Sequence, residues 1–165
     1  MKQLTLKDSF EISGKGLHTG LQINAKFNPA PENHGYKIKR VDLDGQPVID
    51  AVAENIIDTH RGTGIGQGEA TVSTIEHAMA ALYAAEIDNV LIEVNAPELP
   101  ILDGSAIVYA DAIASVGVVE QKAEKEFFVV RHKIEVSDEA TGASITLLPD
   151  DELNLDVKIN YDSPV

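Results

Sequence analysis

The stretch Ser73-Thr74-Ile75-Glu76-His77-Ala78-Met79-Ala80-Ala81-Leu82 sets a carboxylate beside an imidazole just where a helical pattern begins. Adjacent residues on a helix diverge by about 100 degrees and do not face each other. At an exposed helix start, however, both can address one point beyond the end. The positive end of the helix dipole disfavours imidazolium, which leaves a lone pair on His77 for a metal. One group can then bind a metal ion while the other takes a proton from the metal's water. The same residues also have a purely structural reading. Ser73-x-x-Glu76 has the form of a capping box, in which serine and glutamate satisfy the first free N–H groups of a helix. On these residues alone, the structural reading, a helix cap with a core histidine, is preferred.

Other chemistry-bearing patterns are weaker. GKGLHTG (residues 14–20) lies between two strand-like runs and lacks the spacing of a dinucleotide fingerprint. GTGIGQG (62–68) lacks the Lys-Ser/Thr ending of a phosphate loop, so both stretches read as turns. No GxSxG and no HExxH occurs. His34 and His132 read as surface histidines, whereas His60, in DTHRGT, adjoins the glycine-rich segment and is a candidate pocket residue.

Composition narrows the function classes. The 165 residues suffice for one well-packed domain, or one domain and part of another. Apolar residues make up 44% with no Trp, as in a globular, aliphatic-cored chain. The formal net charge of −14 repels phosphate backbones, which argues against nucleic acid as a partner. There is no cysteine, so histidines and carboxylates are the available metal ligands. The N-terminus alternates polar and apolar residues without a signal-peptide core, and no run approaches the roughly 20 apolar residues of a membrane span. A cytoplasmic location is expected.

The elements that must position Glu76 and His77 follow from periodicity. Leu4, Leu6, Phe10 and Ile12 share one alternating face, interrupted by Asp8, and Leu21, Ile23, Ala25 and Phe27 alternate again. YKIKRV, DAVAENIIDT and RGTGI predict further extended pieces, with a hairpin-like turn at 66–69. Helical spacing runs from Thr74 to about Glu86, NVLIEVN is a buried strand, and Ser105 starts a second helix that Gly117 stops. VVEQKAEKE (118–126) reads as a charged joint, followed by three strand-like runs, FFVVRHKIEV, ASITLLP and LNLDVKIN. The fold class is α+β: a two-layer α/β sandwich over residues 1–120, then over 121–165 the joint and the truncated start of a second, similar domain. The exposed edge of that partial sheet is a candidate surface for self-association.

GKGLHTG, STIEHAMAAL and NVLIEVNAPELPILDGSA together resemble first-domain motifs of the UDP-3-O-acyl-N-acetylglucosamine deacetylase family, zinc hydrolases of lipid A biosynthesis. The resemblance spans essentially the whole chain, as about the first half of such an enzyme. It implies a pair of sandwiches with the active site between them, a Zn2+ cofactor and a UDP-linked acylated glucosamine substrate. It makes His77 a zinc ligand and Glu76 the general base. His18 and Asp103 match motif positions as pocket or loop-ordering residues, and the segment from Thr59 through His60 to Thr63 borders the pocket. Some relatives carry a cysteine where this chain has Gly62. The other zinc ligands implied by the family come from a His-x-x-x-Asp helix in the second domain. Here the position four after each histidine holds Gln22, Ile38, Gly64, Ala81 or Val136. The isolated chain is therefore expected to bind zinc weakly or not at all, and to be inactive. In some relatives the enzyme is fused to a hydroxyacyl-carrier-protein dehydratase. The competing reading is a non-catalytic binding or scaffold module on the same sandwich.

Overall fold

The computed structural model describes residues 1–159, and the chain divides into two compact units, Met1–Lys125 and Glu126–Val165. The first unit is built on a five-stranded mixed sheet of β2 (Phe10–Lys15), β3 (Gln22–Pro29), β4 (Tyr36–Arg40), β5 (Val48–Asp50) and β9 (Val90–Val94). Their spatial order is β2-β3-β9-β4-β5, and every pair is antiparallel except β4 with β9. Alternation gives this sheet one apolar and one charged face. Ile12, Ile23, Ala25, Phe27, Ile38, Ile49, Val90, Ile92 and Val94 point inward and are buried. On the other face Lys39 pairs with Glu93 at 3.2 Å, and Lys37 pairs with Asp50.

Two helices, α1 (Glu76–Ala84) and α2 (Ile107–Val116), pack against each other, and their buried side chains join the core formed by the apolar face of the sheet. Alanines at 78 and 81 let α1 lie close, and Leu82, Tyr109 and Ile113 fill the space between layers. Phe27 anchors this core. Its ring stacks on Phe10 at 4.6 Å and meets Tyr109 edge-on at 5.8 Å. The α+β class and the two-layer arrangement agree with the sequence.

A three-stranded sheet of β6 (Ile56–Asp58), β7 (Gly64–Gln67) and β8 (Ala70–Val72) lies between β5 and α1 in the chain. Arg40, at the end of β4, ties it to the large sheet. Its guanidinium forks onto Asp42 at 2.8 and 2.7 Å and donates to the Thr71 carbonyl at 2.6 Å.

Several local expectations change. The sequence predicts one apolar face through Leu4, Leu6, Phe10 and Ile12; the last three are buried, but in β1 (Lys2–Leu6) Leu4 is only half-buried and Gln3 and Thr5 are buried as well. They turn inward because a polar cluster receives them: Thr5 donates to the Asn89 carbonyl at 2.7 Å, and Asn89 donates to Gln3 Oε1 at 2.9 Å. The sequence also predicts a charged joint over 118–126. Instead Val118–Glu124 forms β10, antiparallel to β1 and part of the first unit. His34 is half-buried, with Nε2 hidden from solvent.

In the second unit β11 (Ile134–Ser137) and β12 (Ser144–Leu147) form an antiparallel hairpin. The predicted third run, LNLDVKIN, has no strand among its described residues, and its last residue, Asn160, lies outside them. No helix among the described residues is long and apolar enough to cross a membrane.

Candidate active site

The chain leaves β8 at Val72 and must reverse before α1 can pack on the sheet. Ser73 is pinned first: its N–H donates to the Pro97 carbonyl at 3.0 Å, and its carbonyl accepts from Leu99 N–H at 3.0 Å. Thr74 then adopts a left-handed backbone, φ +57°, which is unfavourable for a β-branched residue. Ile75 N–H reaches the Thr63 carbonyl, and the helix starts at Glu76.

This reversal overturns the capping box. Ser73 Oγ donates to the Pro97 carbonyl at 3.3 Å instead of capping α1, and the residue at the N-cap is Ile75, without a side-chain cap. Glu76 does not reach back to the Ser73 N–H. Its Oε2 accepts from Thr63 N–H at 2.9 Å, so the carboxylate is held across the mouth of the helix.

The other oxygen, Oε1, lies 3.9 Å from His77 Nε2, and both side chains keep part of their surface in solvent, 38% and 24% respectively. The two groups thus lie side by side and partly open to solvent, although neither lines the neighbouring pocket. A Cβ placed on Gly62 would sit 3.3 Å from Glu76 Oε1 and 3.9 Å from His18 Nε2. His18, contributed by the β2–β3 connection, thus converges on the same place. Gly62 leaves that space open.

Asp103 lies on the loop before α2. Its Oδ1 accepts from Ser105 N–H and Oγ, each at 2.9 Å, and Ser105 Oγ accepts from Ile107 N–H at 3.1 Å. The Ser105 N–H and hydroxyl hold the Asp103 carboxyl below its usual value. Asp103 thus orders the loop.

The remaining candidates lie further out. A pocket of about 310 Å³ is lined by His18, Asp58, His60, Gly62, Ser73 and Thr74, among others. Its His60 side chain is 95% exposed and bonds through Nδ1 to Asp58 at 2.9 Å. The backbone N–H and ring of His60 lower the Asp58 pKa. Thr59 is exposed next to them and does not line the pocket.

Three contributions were not visible in the sequence: the Thr63 N–H that fixes Glu76, although the segment up to Thr63 is expected to border the pocket, and the pair Thr74 and Glu98. Glu98 is fully buried, and Thr74 Oγ1 donates to it at 3.1 Å. The one available signal was a carboxylate inside the otherwise apolar, proline-flanked run APELPIL.

Catalytic zinc takes three protein ligands and leaves one position open. Among the described residues no group of three His, Cys, Asp or Glu side chains could hold a metal ion.

Residues 3–165 match the family described as UDP-3-O-acyl N-acetylglycosamine deacetylase, LpxC. The chain is 59% identical over its whole length to a bifunctional enzyme LpxC/FabZ of Bacteroides thetaiotaomicron, of which it covers 36%. It is 58% identical to the protein of that name from Porphyromonas gingivalis, covering 99% of this chain and 36% of that one. To a UDP-3-O-acyl-N-acetylglucosamine deacetylase of Methylococcus capsulatus it is 39% identical, over all of this chain and 54% of the relative. It thus spans between about a third and a half of the curated relatives it matches. The chain belongs to the UDP-3-O-acyl N-acetylglycosamine deacetylase family.

Proposed function

We propose that this chain is the N-terminal part of a zinc-dependent deacetylase that hydrolyses the acetamide of UDP-3-O-(hydroxyacyl)-N-acetylglucosamine in lipid A biosynthesis. Family membership supports the substrate class. The observation that carries the reaction type is the accessible pair at the mouth of α1, with Glu76 Oε1 3.9 Å from His77 Nε2.

In this reading His77 holds zinc together with ligands that lie outside the described residues. Zinc, when bound, polarises the acetamide carbonyl and acidifies water. Glu76 does the proton work. The Thr63 N–H fixes Oε2, which leaves Oε1 to take a proton from the attacking water and return it to the departing amine nitrogen. Water is thereby added across the amide, giving acetate and the free amine. His18 lines the approach beside Gly62, and Asp103 keeps the following loop in place.

The isolated chain is inactive in this account, because it supplies one metal ligand where three are required. The parent protein acts in the cytoplasm. The names of the two Bacteroides and Porphyromonas relatives favour a parent that also carries a FabZ part. The test is acetate release by the full-length protein, which should disappear on chelation and return with added zinc. Undiminished release after complete metal removal would refute zinc dependence. Substrate binding without any release, in the zinc-loaded protein, would favour a non-catalytic module.

A further inference from the structure

Glu98 has no exposed surface and, among the described residues, no cation paired with it, an arrangement that is costly unless every lone pair of the carboxylate is satisfied. Four donors meet it. Oε1 accepts from His18 N–H at 3.0 Å and Thr74 Oγ1 at 3.1 Å, and Oε2 accepts from Thr19 N–H at 2.9 Å and Thr19 Oγ1 at 2.7 Å. Burial alone would raise its pKa, yet these donors outweigh it and the net shift is downward. Gly16 makes the arrangement possible, since a Cβ there would fall 2.3 Å from both Glu98 Oε2 and Thr19 Oγ1.

The donors come from two separate arms of the site. His18 and Thr19 belong to the β2–β3 connection, which presents the His18 ring. Thr74 is the strained residue whose reversal brings Glu76 onto the Thr63 N–H. A left-handed threonine persists only where its surroundings over-determine it. The Ser73 ladder bonds supply one part of that constraint, and the hydroxyl bond to Glu98 supplies another.

We propose that Glu98 is a positioning residue that locks the His18 loop and the Thr74 turn to one another, so that His18 and the Glu76–His77 pair keep a fixed geometry. The proposal rests on the deacetylase reading for its effect on rate, but not for its effect on structure. Glu98→Gln turns an amide NH2 toward two donors. Thr74→Val cuts only the link to the helix arm and leaves the His18 and Thr19 bonds in place.

The experiment measures hydrogen exchange at single amides together with kcat and KM in the full-length protein. In both variants exchange at the Thr63 N–H should rise by about tenfold, reporting release of Glu76, while Ile92 in the sheet stays protected. The same variants should lose about 10- to 100-fold in kcat with little change in KM. Thr74→Ser, which keeps the hydroxyl, should restore both. The proposal is overturned if Thr74→Val matches wild type in Thr63 exchange and kcat, with only the His18 and Thr19 amides altered in Glu98→Gln. If wild type releases no acetate, the deacetylase reading fails, and Thr63 exchange still decides whether Glu98 couples the two arms.

Discussion

A carboxylate with no exposed surface and four donors aimed at it has little room for a proton. Folding therefore holds the Glu98 pKa below its ordinary value of 4.5, and linkage fixes the sign of the consequence. Above the unfolded value the stabilisation is fully present. As the pH falls, the unfolded chain takes up the proton first, and the contribution is lost as the pH passes through the folded value. Denaturant titrations of wild type and Glu98→Gln should therefore diverge at neutral pH and converge in acid. The neutral-pH difference should be about 1–3 kcal/mol, set by donors left facing the amide. Parallel stability curves across that range would show that folding does not shift the Glu98 pKa.

Among the elements, the loop from β9 to α2 does the most to hold the site, because it carries both Glu98 and Asp103. Tyr109 braces it from below: its hydroxyl donates to the Pro100 carbonyl at 2.6 Å while its ring packs on Phe27. Tyr109→Phe keeps the ring and removes that bond, so a loss of about 1–2 kcal/mol in thermal or chemical unfolding is expected. A variant as stable as wild type would mean that the loop is held by its other contacts. Much of this architecture was legible in advance. Ile23, Ala25 and Phe27 alternate as a strand with one wet face, and Gly117, at φ +78°, stops α2 where the pattern ends. The start of α1 was not legible. Ser73-x-x-Glu76 satisfies a local capping rule, but the long-range partners Pro97, Thr63 and Glu98 take those side chains and the backbone around them. Likewise 118–126 looks like a solvated joint because β10 is largely exposed, and its pairing with β1 depends on residues more than a hundred positions away. Glu76, His77, His18 and Asp103 could be named from motifs, whereas their supports are set by tertiary contacts that no local pattern encodes.

At the scale of the whole molecule the two units differ in how well they cover themselves. The first has a continuous apolar core, while the second leaves Phe128, Val136, Ile145 and Leu155 exposed in and around a two-stranded hairpin whose outer edges pair with no other strand among the described residues. A short hairpin of this kind buries too little to be stable alone, and open edges invite pairing. Light scattering of the 165-residue chain at two concentrations should show concentration-dependent self-association. A strictly monomeric mass at both would contradict it. The central claim, however, concerns the groups at the mouth of α1. Its most direct test is the single-turnover rate of acetate release by zinc-loaded, full-length protein carrying Glu76→Gln, compared with wild type at equal zinc content and equal thermal stability. The account predicts a loss of about 100- to 10,000-fold in that rate. An unchanged rate would remove Glu76 from the proton transfer and, with it, the mechanism proposed for this site.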